Sequence, residues 1–181
     1  MSAIDDFKIY LIATEPSGDV IGSNLIKSLK KIKNKKFHFY GIGGPKMIKS
    51  GLNKSLFPIS ELSIFGIFEI FPKIYKVLSL LNKTEKDIIK INPKVLITID
   101  SPDFNFRILK KIYEKTPNIK KIHYVAPTVW AWRSGRARYL SKYIDKLLTI
   151  LPFEYKYFKR FNLNTKFIGH PVYELNNKKK N

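Results

Sequence analysis

The chain has 181 residues, of which 44% are hydrophobic, and this content suits one globular domain with a sizeable core. The absence of cysteine excludes a disulfide framework, a thiolate metal site and a thiol nucleophile, and with only three histidines we predict no metal centre and no cofactor. Lysines spread along the chain supply most of the formal net charge of +20, so we predict a basic surface that attracts anionic lipids and phosphate-bearing substrates, but no nucleic-acid partner.

The N-terminal sequence MSAIDDFKIY carries acidic residues and leads into a short strand pattern. It lacks the basic-then-apolar plan of a signal peptide, and no apolar run reaches the roughly 18 residues of a membrane span. We therefore predict a cytoplasmic protein.

The first third of the chain predicts a strand, a turn, a helix and a second strand. Residues 7–13 form the first strand, Asp19 is the predicted N-cap of the helix that follows, and residues 37–40 form the second strand. The glycine-rich segment 41–47 comes next. It either allows close approach of the backbone to a ligand or makes a tight turn between strand and helix.

Residues 60–90 have a helical pattern that Pro72 interrupts, so we expect a break there. After the break, one buried stripe is predicted, formed by Ile74, Leu78, Leu81 and Ile88. The preceding segment 64–71 has more large apolar residues than one face of a short segment can bury. It is either ordinary core or a surface patch that contacts a membrane or acyl chains through Phe65, Phe68 and Phe71.

An apolar run at residues 95–99 stops at a carboxylate, Asp100. The run is mostly β-branched and too short for a helix, so it predicts a buried parallel strand. Because ligands of such sheets bind beyond the carboxyl ends of the strands, Asp100 is a candidate functional residue. The alternative is that Asp100, Ser101 or Asp103 turns the chain and caps the next helix.

The remaining chain predicts alternating helices and strands. Helices are expected at residues 104–115, 136–143 and 153–161, and strands at 121–125, 146–150 and 166–168. His123 is interpreted as a satisfied core histidine. Segment 126–133 follows a strand end and contains both tryptophans, Trp130 and Trp132, together with Arg133, side chains that suit sugar stacking and phosphate binding.

Six strands alternating with helices predict an α/β fold, a doubly wound parallel sheet of the Rossmann-like kind, over residues 1–175, with a basic tail at 176–181. In the usual order, the first strand neighbours the strand that ends at Asp100. The turn with Glu15, Ser17 and Asp19 should then face Asp100 across the crevice.

Seven motifs occur in one order that resembles the lipid-A-disaccharide synthases of Gram-negative bacteria. They are EPSGD at 15–19, GGPKM at 43–47, GIFE at 66–69, IDSPDFN at 99–105, HYVAPTVWAWR at 123–133, LPFE at 151–154 and GHP at 169–171. Thr14 stands where the family usually has glycine, and Ala126 and Thr128 where it often has serine.

The resemblance implies the N-terminal, acceptor-side domain of a two-domain glycosyltransferase of the GT-B kind. By resemblance the C-terminal domain would carry most of the donor site, and we expect it to be absent from this chain or separately encoded. The implied reaction moves 2,3-diacylglucosamine from UDP-2,3-diacylglucosamine to the 6-hydroxyl of 2,3-diacylglucosamine 1-phosphate. The products are a β-1,6-linked disaccharide of lipid A biosynthesis and UDP, and the implied location is the inner-membrane surface, as a peripheral protein.

Inversion at the donor's anomeric carbon asks for a general base, and we assign this role to Asp100, with Asp103 as the second choice. The implied substrate-binding residues are Glu15, Ser17, Asp19, Asp103, Asn105, Trp132 and Arg133. The alternative function is a non-catalytic fragment that binds lipid or nucleotide sugar and needs a separate second half.

Overall fold

The computed structural model describes residues 5–63, 70–127 and 134–169, and within them the strands form a seven-stranded parallel sheet in the order β3-β2-β1-β4-β5-β6-β7. The strands are β1 (Asp5–Ala13), β2 (Lys35–Ile42), β3 (Leu52–Ser55), β4 (Val95–Ile99), β5 (Lys120–Tyr124), β6 (Lys146–Thr149) and β7 (Thr165–Phe167). The helices are α1 (Pro16–Leu29), α2 (Pro45–Ser50), α3 (Ser60–Ser63), α4 (Ile70–Ile91), α5 (Pro102–Lys115), α6 (Ser134–Tyr143) and α7 (Tyr155–Lys159).

Helices cover both faces of the sheet. Side chains of a strand point alternately to opposite sides, so β1 contributes to two cores, one on each face. In β1, Tyr10 and Ile12 join a core with residues of α4, α5, α6 and α7. Ile9, Leu11 and Ala13 join a second core with residues of α1 and α2. This arrangement confirms the predicted doubly wound α/β class.

The predicted number of strands was too small, because β3 was not recognised. Only Leu52 of its four residues is buried, while Asn53 and Lys54 are exposed. A short edge strand with one buried side chain carries almost no periodic signal.

Helix α4 has Pro72 in its first turn, where proline is tolerated. The predicted buried stripe was partly wrong. Leu81 and Ile88 are buried as expected, but Ile74 is 50% exposed and Leu78 is 42% exposed. The buried face instead includes Leu80, Thr84 and Glu85.

Several predicted residues lie outside what the structure describes. Phe65, Phe68, Trp132 and Arg133 fall in the two internal gaps, and for Phe71 only the backbone, within α4, is described.

Candidate functional site at the ends of strands β1 and β4

The carboxyl ends of β1 and β4 lie side by side, as the sequence predicted. The two strands pair in parallel with Ala13 opposite Ile99, so Glu15 and Asp100 follow neighbouring strand ends. The sheet order changes direction between these two strands. Ligand crevices in doubly wound sheets form at this kind of switch point.

The turn that carries Asp100 has an unusual backbone. Asp100 and Ser101 have φ values of 52° and 43°, in the left-handed region that side-chain-bearing residues seldom occupy. The Asp100 backbone N–H donates to the Tyr124 carbonyl at 2.9 Å. The amide nitrogen of Asn105 donates to the carbonyls of Ile99 at 3.2 Å and Asp100 at 2.7 Å. These bonds hold the carboxylate at the crevice against backbone strain.

A side-chain hydrogen bond joins the two strand ends. The Ser101 hydroxyl donates to Oε1 of Glu15 at 2.7 Å. Ser101 occupies the N-cap position of α5, yet its hydroxyl makes no capping bond. The turn residue therefore connects the two acidic loops, and of the three capping candidates only Ser101 occupies the cap position.

The surroundings of Asp100 make its ionised form less favourable than it is in water. Burial raises the pKa of the Asp100 carboxyl above its ordinary value of 3.8, the negative charge of Glu15 raises it further, and a hydrogen bond from the Ser101 backbone opposes both. A carboxylate with a raised pKa is a stronger proton acceptor, and such perturbed groups cluster at functional sites.

Asp103 stands in a different environment from Asp100. Its side chain is 91% exposed in the first turn of α5, and its Oδ1 lies 3.5 Å from Nη2 of Arg136. Solvent screens an ion pair of this kind. Sequence reasoning did not identify the contribution of Arg136, which places one cation beside the crevice.

Asp19 does not cap α1, and that prediction was wrong. The N-cap of α1 is Glu15, followed by Pro16 at the first helical position. The Asp19 carboxylate is buried and instead accepts hydrogen bonds from the backbone N–H groups of Gly44, Lys46 and Met47, at 2.9, 3.0 and 2.9 Å. It thus caps α2, which begins 26 residues later in the chain.

The glycine-rich segment forms a tight turn against Asp19. A Cβ atom at Gly44 would lie 2.5 Å from Oδ2 of Asp19, so a side chain there would displace the capping carboxylate. This contact supports a tight turn between strand and helix over close approach of the backbone to a ligand.

Ser17 is exposed on the first turn of α1, beside Glu15.

His123 is buried in the core, as expected, but only one of its two ring nitrogens has a partner. Nδ1 lies 2.8 Å from the Thr98 hydroxyl, and burial lowers the pKa of the imidazole to about 3, so the ring is neutral. Nε2 has no hydrogen-bond partner among the described residues.

Glu154 is another buried carboxylate that accepts backbone hydrogen bonds, in this case just after the end of β6. Oε2 of Glu154 accepts hydrogen bonds from the backbone N–H groups of Ile150 and Leu151, at 3.1 and 2.9 Å, and shapes the loop after β6. Glu154 belongs to the LPFE motif, but the sequence did not predict this local bond.

Across the described ranges, no group of three or more His, Asp or Glu side chains is placed to hold a metal ion.

A parallel sheet covered on both faces, with two carboxylates at the adjacent strand ends of its switch point, defines a Rossmann-like domain, and ligands of such domains bind at that position. The sequence matches the family described as lipid-A-disaccharide synthetase over residues 9–181. The chain belongs to this family.

Individual relatives agree with the family match. The lipid-A-disaccharide synthase of Rickettsia bellii (strain OSU 85-389) is 47% identical over 167 residues, covering 92% of this chain and 43% of the relative. Those of Rhodospirillum centenum and Paramagnetospirillum magneticum are 45% and 46% identical over 166 residues, covering 92% of this chain and 41% and 42% of the relatives. The chain therefore spans less than half the length of these relatives and matches their N-terminal part.

No helix in the described ranges is both long enough and apolar enough to cross a membrane.

Proposed function

We propose that this chain supplies the acceptor side and the general base of a lipid-A-disaccharide synthase. The reaction is the inverting transfer of 2,3-diacylglucosamine from its UDP donor to the 6-hydroxyl of 2,3-diacylglucosamine 1-phosphate. The observation that carries the proposal is Asp100, a half-buried carboxylate with a raised pKa at the switch point of a family member.

In the proposed step, the Asp100 carboxylate accepts the proton of the acceptor's 6-hydroxyl as its oxygen attacks the anomeric carbon. The bond between that carbon and the UDP oxygen breaks at the same time, and the configuration inverts. Ser101 and Asn105 fix the turn, so the carboxylate is oriented before substrate binds.

Other residues near the turn would contact the sugars. Glu15 and Ser17 are exposed at the neighbouring strand end, and Asp103 lies beside Arg136 at the rim. Trp132 and Arg133 are proposed for sugar stacking and phosphate binding on the strength of their motif. Asp19 and Asn105 are buried, so their proposed contribution is to hold the loops that carry the exposed groups.

A peripheral contact with a membrane is a second part of the proposal. Ile74, Tyr75 and Leu78 are exposed on the N-terminal turns of α4, at 50%, 76% and 42%, directly after the apolar segment 64–71. A basic protein with an exposed apolar surface is suited to anionic lipid. Together these residues would bring the crevice to the acylated substrates.

The test uses a completed enzyme, defined as this chain joined to the part of the Rickettsia bellii relative that it does not match. It is incubated with UDP-2,3-diacylglucosamine and 2,3-diacylglucosamine 1-phosphate, and products are identified by mass spectrometry. We expect the β-1,6 disaccharide together with UDP. Binding of either substrate by a folded protein without product would instead favour the non-catalytic alternative.

A further inference from the structure

Three fully buried polar side chains each have an atom without a hydrogen-bond partner among the described residues. The atoms are Oδ1 of Asn105, Nε2 of His123 and Oγ1 of Thr149, and each residue is 0% exposed. Buried polar atoms in native proteins are nearly always satisfied, and ordered water commonly supplies the missing partner.

The sheet register places these three side chains around one region. Thr98, His123 and Leu147 pair side by side on β4, β5 and β6. Thr149 lies two residues beyond Leu147, so its side chain is on the same face and one step nearer the carboxyl ends. The shared face is the one that α5 and α6 cover.

Helix α5 brings Asn105 to the same region. The Asn105 amide nitrogen bonds the carbonyl of Ile99, and Ile99 pairs with Tyr124, the neighbour of His123. Phe106, next to Asn105 in α5, packs edge-to-face with His123, with the two ring centroids 5.4 Å apart. The register and these contacts place the three residues near one another at the carboxyl ends of β4, β5 and β6, on the side of the sheet that α5 covers.

We propose that Asn105, His123 and Thr149 enclose an internal water site at the carboxyl end of the sheet. The three atoms have complementary roles: the asparagine oxygen accepts, the threonine hydroxyl donates and accepts, and the imidazole nitrogen does one or the other according to its tautomer. A water molecule satisfies this set in either tautomer.

The chemistry of the site excludes a charged occupant. The imidazole is neutral because burial lowers its pKa to about 3, so the lining offers no charge to balance a buried ion. In the proposed site Asn105 connects the water to the Asp100 turn, because its unpartnered oxygen would bond the water while its nitrogen bonds the carbonyls of Ile99 and Asp100. The site is a property of the fold and does not depend on the proposed function.

A high-resolution crystal structure of the 181-residue chain tests the proposal directly. We expect a water peak within about 3.2 Å of at least two of the three atoms. The proposal is overturned if the region holds no peak, or if the three side chains bond one another instead.

Thermal unfolding of Thr149→Val provides an independent test. Valine keeps the shape but removes the hydroxyl, so a hydroxyl bonded to water predicts a fall in Tm of about 2–4 °C. Thr84→Val is the matched control, because the buried Thr84 hydroxyl donates to the Leu80 carbonyl at 2.7 Å and its loss shows the effect of one satisfied bond. An unchanged or raised Tm for Thr149→Val alone would contradict the water site. If Thr149→Val does not fold, the crystal structure of the unmodified chain decides.

Discussion

Asp100 is the residue at which the requirements of folding and of the proposed chemistry conflict. Its backbone lies in the left-handed region, and its carboxyl is half-buried beside another acid, Glu15. Each feature lowers the free energy of unfolding. The backbone strain alone costs on the order of 1–3 kcal/mol. Strained and electrostatically unfavourable positions of this kind are typical of functional sites.

Replacing Asp100 with Asn should therefore raise the thermal stability at pH 7. The folded-state pKa is raised, so the stabilising proton is fully bound below the ordinary pKa of 3.8 and is lost as the pH rises through the folded value. At pH 7 the folded protein holds an unfavourable carboxylate that Asn removes. We expect an increase in Tm of roughly 1–3 °C, modest because solvent screens a half-buried group.

The matched control for this measurement is Asp103→Asn, since the Asp103 side chain is 91% exposed and should change the Tm little. The advantage of Asp100→Asn should disappear below about pH 4. A lower Tm for Asp100→Asn at pH 7 would show that the carboxylate stabilises the fold.

Glu15 should contribute, after burial, to the pH at which the base becomes active. In the completed enzyme, Glu15→Gln removes the charge that raises the pKa of Asp100 but keeps an oxygen that accepts from Ser101. The pKa of Asp100 should then fall, and the acid limb of the kcat/KM profile should move to lower pH. Movement to higher pH, or none, would rule out this electrostatic coupling, whatever the change in KM.

At the scale of single elements, Asp19 should be a major determinant of stability. Asp19→Ala removes three hydrogen bonds to the N-terminal backbone of α2 and leaves buried donors unpaired, so we expect a loss of about 2–4 kcal/mol. Urea denaturation measures this loss. Ser17→Ala, at an exposed position of the same helix α1, should change the free energy of unfolding by less than about 0.5 kcal/mol. Equal effects of the two variants would contradict the capping role.

The N-terminal turns of α4 should contribute to membrane contact. Replacing Ile74 and Leu78 with Ser should weaken binding to anionic vesicles severalfold without lowering the Tm, because both side chains are exposed. Ile89→Ser is the control, since Ile89 is 43% exposed near the other end of the same helix. If the Ile74 and Leu78 variant binds vesicles as well as the unmodified chain and Ile89→Ser do, α4 does not take part in the proposed contact.

Elements with dense apolar patterns were predictable from the sequence, and those with sparse patterns were not. β4 was recognised because four of the five residues in Val95–Ile99 are large and apolar, whereas β3 has a single buried residue. Ile74 is exposed although it follows the helical period of the buried Leu81 and Ile88, because burial depends on what packs against each turn, and a helical period contains no information on that.

The same distinction applies to the candidate site. The proximity of Glu15 to Asp100 followed from the usual strand order of a parallel sheet, and the structure confirms it. The hydrogen bonds that the Asp19 carboxylate accepts from the start of α2 could not be predicted, because they join two helices through a side chain whose local sequence also suits an ordinary cap. The choice of Ser101 between capping α5 and bonding Glu15 likewise depends on tertiary geometry.

At the scale of the whole molecule, we expect this chain by itself to be a poor catalyst. It spans 43% of the Rickettsia bellii protein, and the groups that neutralise the departing UDP are proposed to lie in the remainder. Preorganised charge of this kind commonly contributes several kcal/mol to catalysis. We expect the 181-residue chain alone to unfold cooperatively but to form disaccharide at least about a thousandfold more slowly than the completed enzyme. Comparable rates would show that the chain contains its own donor site.

The most direct test of the account is the turnover of the completed enzyme carrying either Asp100→Asn or Asp103→Asn. If Asp100 is the general base, Asp100→Asn should lower kcat by at least about a hundredfold, while Asp103→Asn, at the exposed rim, should stay within a few fold of the unmodified enzyme. A near-normal kcat for a folded Asp100→Asn variant, or a larger loss for Asp103→Asn, would contradict the assignment.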